Sequence, residues 1–382
     1  MTLATAVILS YKRHDMLRRQ LVYYANKPVH LIFADGSDTD WGSGASGSIG
    51  EMTWEYFRLS GFDSYLERMS ESCKRVRTEF MFFVDDEECI LWTGVEKAVE
   101  FLKQNPDHSC AGGRVDTTAL SQRRLCIVAW GRHARPFSLL ESHSNKRLIS
   151  LYRNKRTANL YYQVLRSEDI KIYAQNFEDF STEGKSQGSI EIAFASFLAI
   201  SGKWMMGNYP FWIRNGGTNL SDTPRPSKME NYYSFDLSER ILRSVSSKMV
   251  GGDNGWTSDY SSELASLIQL YLGEKTHLDL PARTRQRLGK ATEYRKRIEI
   301  GLTRSMHIFF DYCPSIYHLV RPNGLKTFSN YAKTYAPYSI GVAEELIWLE
   351  KIWKKFSKGI STKEFEKLLL KPREEMHLHA NI

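Results

Sequence analysis

The 382-residue chain has little cysteine, and its five cysteines (Cys73, Cys89, Cys110, Cys126 and Cys313) form no Cys-x-x-Cys pair. Their scatter and odd number argue against a disulfide framework or a zinc site and fit a reducing, cytoplasmic setting. No apolar run approaches the roughly 20 residues of a membrane-spanning helix, and the mean hydropathy is negative. The opening "MTLATAVILSYKRHD" has neither a basic leader nor a small-residue cleavage site, so it reads as a first strand and not as a secretory signal. The Gly- and Ser-rich stretch "DGSDTDWGSGASGSIG" lacks a Gly-Lys-Ser/Thr ending, which leaves a loop and not a phosphate-cradling one. Internal repeats are absent. The basic segments carry no nucleic-acid-binding motif, so nucleic acid is not an expected partner.

What is present is a globular composition, 42% hydrophobic and 13% aromatic, with a net charge of +8. That length supports a large core and more than one unit, and the charge suits phosphate-bearing ligands or an anionic surface. Residues 4–10, "ATAVILS", are a short β-branched run of the kind that forms a buried strand. Met16, Leu17, Leu21 and Tyr24 follow at helical spacing, Lys27-Pro28 stops that helix, and "VHLIFAD" is a second strand. Strand, helix and strand in this order predict a parallel sheet. "SYLERMSESCKRVRTEF" reads as a helix leading into the strand "FMFFV". Val95, Val99 and Leu102 mark the next helix, closed by Asn105-Pro106.

The strand "FMFFV" ends in four acids, Asp85, Asp86, Glu87 and Glu88. A carboxylate within a sheet is costly unless paired or bound to a cation. At the C-terminal edge of a parallel strand it faces the crevice where α/β proteins bind ligands. Alternation along an extended segment would aim Asp85 and Glu87 at one target, and hard oxygen donors suit Mg²⁺ or Mn²⁺. The bland alternative is that these acids cap the following helix. Two other strand ends are polar. Asp35-Gly36 follows the second strand, as a ligand contact or an ordinary Asp-Gly turn. Ser10-Tyr11-Lys12-Arg13 follows the first, facing a diphosphate or forming a solvated helix start. Three polar strand ends in one series point to a nucleotide crevice.

The succession "VILSYKR", "FADGSD" and "FFVDDEE" resembles the nucleotide-binding half of GT-A-fold glycosyltransferases, family-2-like in organisation. The resemblance covers residues 4–115, and more weakly extends to about 215. It implies an α/β fold with a mostly parallel, Rossmann-like sheet flanked by helices and followed by a mainly helical C-terminal region. Residues 1–235 would be the transferase domain (1–115 nucleotide-binding, 116–235 acceptor-binding) and 236–382 the helical region. It implies a nucleotide-sugar donor, inversion, and a glycan or lipid-linked acceptor in surface polysaccharide synthesis. By the same resemblance Ser10, Tyr11, Arg13 and Asp35 hold the nucleoside, Asp85 the ribose, and Asp86 or Glu87 a Mn²⁺ or Mg²⁺ ion. Arg214 adds charge over the diphosphate. "SIEIAFASFLAISGKW" resembles the segment that carries the base, which makes Glu191 the candidate. The pair Glu178-Asp179 is its rival, and a helix-terminal carboxylate is the bland reading of Glu191. The other enzyme class with an acid–metal site, a sugar nucleotidyltransferase, opens on a Gly-rich loop that "SYKRHD" lacks. A non-catalytic protein on a decayed transferase fold is the remaining alternative.

Trp204, Tyr209, Phe211 and Trp212 offer either a platform for a sugar ring or core. Leu346, Leu349, Trp353 and Phe356 share one helix face, with Lys351, Lys354 and Lys355 largely off it. Such a helix suits peripheral contact with the inner membrane face or packing on its own domain. His377 and His379 read as tail residues.

Overall fold

The computed structural model describes residues 2–42, 44–61, 64–121, 124–129, 137–154, 160–177, 187–215, 326–327, 340–356 and 360–370. The anticipated domain boundary near residue 235, His377 and His379 lie outside them.

The first apolar runs form strands because each can be covered on both faces. β1 (Ala4–Ser10) is buried at every position, and β2 (Val29–Asp35) and β5 (Phe80–Asp85) nearly so. Helix α1 (His14–Tyr24) joins β1 to β2, and α2 (Tyr65–Arg75) leads into β5. Between them lies a hairpin, β3 (Ser46–Ile49) and β4 (Met52–Arg58), inside and just beyond the stretch expected to be loop. Its turn is set by Gly50 at φ +60°, a conformation that costs glycine little. An added Cβ there would meet the Asn26 side chain.

The chain continues through β6 (Cys89–Ile90), α3 (Trp92–Gln104), β7 (His108–Ser121), β8 (Arg124–Ala129), α4 (Ser144–Arg153) and β9 (Val164–Arg166). It then forms α5 (Ser167–Phe177), α6 (Gln187–Ser201), β10 (Lys203–Asn215), β11 (Lys326–Thr327), α7 (Ile340–Phe356) and α8 (Thr362–Leu370). The strands make one sheet in the order β11-β8-β7-β9-β5-β1-β2-β4-β3, with β10 beside β7 and β6. β4, β2, β1 and β5 run parallel. β9 is antiparallel between β5 and β7. The α/β fold expected from the sequence, a sheet flanked by helices, is therefore the observed one, with parallel pairing in β4-β2-β1-β5 and between β7 and β10 and antiparallel pairing in the other ladders. α7 packs against both α1 and α3, α8 packs against α1, and α2 packs with α5.

Strand order decides where a ligand fits. From β1 the chain adds β2 and β4 on one side, then returns to place β5 on the other side of β1. The C-terminal ends of β1 and β5 therefore flank a topological switch point, the usual crevice of an open α/β sheet. The register puts Ser10 beside Asp35 and Leu9 beside Asp85, so all three polar strand ends lie along one edge.

The C-terminal helix α7 is bound to this body. Leu346 and Leu349 are fully buried, and Trp353 and Phe356 nearly so. Its apolar face lies against its own domain, against α1 and α3, so this face is not a free membrane-contacting surface. No helix among the described residues is long and apolar enough to cross a membrane. Glu345 of α7 reaches the start of α3. Its carboxylate accepts from Trp92 N at 2.6 Å, Thr93 N at 3.0 Å and Thr93 Oγ1 at 2.8 Å. Helix α3 has no capping side chain of its own, and Glu345 supplies the acceptor that its first N–H groups need. The same carboxylate takes the Tyr23 hydroxyl at 2.5 Å and Lys27 Nζ at 3.1 Å.

Candidate nucleotide crevice

The strand ends at Asp85, and the three acids after it do not continue it. Glu88 N donates to Asp85 O at 3.0 Å, which closes a turn over Asp86 and Glu87. The alternation that would aim Asp85 and Glu87 together is thus broken by the turn, and Asp86 and Glu87 converge instead. Both meet one guanidinium: Arg13 Nη1 lies 2.9 Å from Asp86 Oδ1 and 3.3 Å from Glu87 Oε2. Asp86 Oδ2 accepts from Ser10 Oγ at 2.7 Å. One bond therefore crosses the switch point, from the end of β1 to the end of β5.

The turn is held from beneath by α1. Gln20 Nε2 donates to the carbonyls of Asp86 and Glu88 at 3.0 and 2.7 Å, and Arg19 Nη2 donates to Asp86 O at 2.8 Å. Both side chains are fully buried. On a helix of otherwise amphipathic spelling they pass for solvent-facing residues, and the sequence reading missed them. Arg19 also lies over the Trp353 ring at 5.1 Å, which couples α7 to the same turn. Gln20→Leu is expected to cost about 1–3 kcal/mol, since the Glu88 carbonyl loses its donor while the Asp86 carbonyl keeps Arg19. Urea unfolding would measure it, and an unchanged midpoint would mean that the turn supports itself.

The far side of the turn belongs to β9, β10 and the segment before β9. Tyr162 donates to Asp85 Oδ2 at 2.8 Å and stacks on Trp212 at 3.9 Å. Trp212 Nε1 donates to Glu88 Oε2 at 2.5 Å, and Arg214 Nε lies 3.5 Å from Glu88 Oε1. Burial pushes Asp85 up to about 6, with the neighbouring acids adding to the rise against the Tyr162 hydrogen bond. Burial likewise holds Glu88 well above the usual range. Burial opposes the charge on Arg13, yet Asp86 and Glu87 outweigh it and keep the guanidinium firmly protonated.

The other anticipated residues divide. Asp35 is fully buried. One oxygen takes Ser37 N and Ser37 Oγ, and the other takes His14 Nε2 and Tyr56 Oη at 2.8 and 2.9 Å. Its visible work is to tie the β2 end to α1 and β4. Close approach at Gly36 is used by Arg68, whose Nη1 would be 2.3 Å from an added Cβ. Tyr11 sits at the rim and is partly exposed, and Lys12 beside it has φ +58°. Trp204, Phe211 and Trp212 are buried in the core and cannot form a sugar platform; Tyr209 alone of the four is partly exposed. Glu191 lies in α6, but its side chain is outside the described residues, as are Glu178 and Asp179 altogether.

The acids were also expected to hold a divalent ion. Among the described residues no group of three or more His, Cys, Asp and Glu side chains is arranged to do so. The position between Asp86 and Glu87 is taken by the Arg13 guanidinium, and both Asp86 oxygens have donors. As arranged here, these residues do not fit a bound cation.

No protein-family model matches the chain, and no curated protein matches it either. Distant likeness exists to solved structures of S. aureus TarS. For TarS 1-349 the identity is 8% and the TM-score 0.47, with 94% of this chain and 92% of that chain covered. For TarS 1-349 in complex with UDP-GlcNAc the identity is 8% and the TM-score 0.47, with 92% of each chain covered. For TarS 1-349 in complex with UDP the values are 9% and 0.41, with 94% and 92% covered.

Proposed function

We propose that this protein is a glycosyltransferase that takes its sugar from a nucleotide-sugar donor. The observation that supports it is the crevice at the β1/β5 switch point. A serine and an arginine from one strand end there meet an acidic turn from the other. That is where an open α/β sheet binds nucleotides, and arginines suit diphosphate recognition.

In this reading Arg13 and Arg214, one on each side of the acidic turn, face the donor diphosphate. Ser10, Tyr11 and Asp85 border the nucleoside. Asp35 acts indirectly, by fixing the loops around it. Transfer proceeds by in-line displacement with inversion. Glu191 takes the proton of the acceptor hydroxyl as its oxygen bonds the anomeric carbon. The bond to the diphosphate oxygen breaks, and its electron pair leaves with the nucleoside diphosphate. A well-placed base of this kind is worth roughly 10²–10⁴-fold in rate. The acceptor is a glycan or a lipid-linked saccharide of a surface polysaccharide, handled on the cytoplasmic side.

Unfolding in the presence of nucleoside diphosphates and nucleotide sugars tests the reading. A cognate nucleotide at a hundred times its Kd should add about 2.7 kcal/mol to stability. If no nucleotide or nucleotide sugar stabilises the chain, the reading fails. The engagement of every acid in the turn also suits a binding protein without turnover. A nucleotide sugar that binds but is neither transferred nor hydrolysed would favour that second reading.

A further inference from the structure

We propose that Arg13 takes the place of a divalent cation in the acidic turn, so that the phosphates of a nucleoside diphosphate meet arginine and not a bound metal. The part of this that concerns nucleotides rests on the transferase reading; the exclusion of the ion does not.

The geometry carries it. One guanidinium nitrogen bridges Asp86 and Glu87, which is the bridging position that a shared cation would occupy. The Asp86 carboxylate is nearly inaccessible, and its second oxygen is already bonded to Ser10. Mg²⁺ requires oxygens at about 2.0–2.1 Å in near-octahedral array and keeps several waters, for which a buried carboxylate with two donors has no room. Nor can the turn rotate to offer new oxygens, because Arg19 and Gln20 hold its carbonyls from beneath. Arg19 brings a second positive charge to the backbone of the residue whose side chain faces Arg13. Beyond it, Arg214 faces Glu88. A divalent ion entering here would displace one arginine and be repelled by another. The acids thus serve to hold and aim the arginines. An arginine held in this way is already oriented toward phosphate, with less freedom left to lose on binding.

Mn²⁺ binding followed by electron paramagnetic resonance decides the matter without any nucleotide. The full chain should leave the free Mn²⁺ signal unchanged at this site, so that Asp86→Asn alters nothing. Arg13→Ala, which removes the guanidinium that lies between Asp86 and Glu87, should gain one bound Mn²⁺ that is lost again when Asp86→Asn is added. Mn²⁺ bound by the unaltered protein and released by Asp86→Asn would overturn the proposal, as would a folded Arg13→Ala protein that gains none. With nucleoside diphosphate added, the rise in melting temperature should be the same in EDTA as in Mn²⁺. A rise seen only with Mn²⁺ would also overturn it. No rise in either condition would defeat the transferase reading, while the Mn²⁺ result would still decide the role of Arg13.

Discussion

Asp86→Ala is expected to lower kcat/KM for sugar transfer by roughly 10²–10³-fold, the range seen when one preorganised charge-stabilising group is removed. Asp86 is the meeting point of the crevice. Its side chain holds Ser10 of β1 and Arg13 at the start of α1, and its carbonyl holds Arg19 and Gln20. Removing the carboxylate leaves Arg13 without its nearest counter-charge in a site where its side chain is only 22% exposed. The guanidinium then swings toward solvent or toward Glu87, and the phosphate subsite loses its aim. Asp86→Asn should be milder, because the amide oxygen can still accept from Ser10 while the charge is lost. The two variants together separate the hydrogen bond from the charge. Binding of nucleoside diphosphate, read by calorimetry, should weaken along with turnover. An Ala variant that binds and turns over at the unaltered rate would place the active centre elsewhere.

Glu345→Ala is expected to cost about 3–5 kcal/mol of stability, the usual penalty for removing one partner of a buried ion pair. Lys27, 17% exposed, would keep its charge with no carboxylate beside it, and the first turn of α3 would lose the acceptor for two backbone N–H groups. Burial works to raise the pKa of Glu345. Lys27 and the hydrogen bonds from Tyr23 and Thr93 outweigh it, and the carboxyl lies below its usual value. A depressed carboxyl contributes stability at pH values above its unfolded pKa. That contribution is lost as pH falls through the folded value. The difference between Glu345→Ala and the unaltered protein should therefore be full at neutral pH and shrink in acid below the usual glutamate range. Urea midpoints at the two pH values measure it. A difference that stays constant into acid would mean that the carboxylate's charge contributes nothing.

Much of the fold could be read from the sequence because β1, β2, β5 and α3 are written in apolar runs of the right length. β4 could not, since "MTWEYFR" mixes charges into a strand buried at only three positions, Met52, Tyr56 and Phe57. β10 was hidden for another reason. Pro210 and Gly207 interrupt it, and the register slips on both sides of Pro210 where it pairs with β7; proline in a run argues against a strand unless a bulge accommodates it. The candidate site was legible at the level of place. Ser10, Arg13 and Asp86 do come together. What remained hidden were interactions without local spelling: the turn that redirects Asp86, the buried Arg19 and Gln20 that hold it, and a carboxylate from α7 at the start of α3. Periodicity reports which face of an element is apolar, and it is silent about polar groups that find partners far along the chain.

That last tie sets an order of events during synthesis. Trp92 and its acceptor are 253 positions apart, so at 5–20 residues per second the ribosome needs roughly 13–50 s to deliver the second after the first. Throughout that interval β1, β2, β4 and β5 can pair while the opening turn of α3 lacks its carboxylate acceptor, and Tyr23 and Lys27 await the same late arrival.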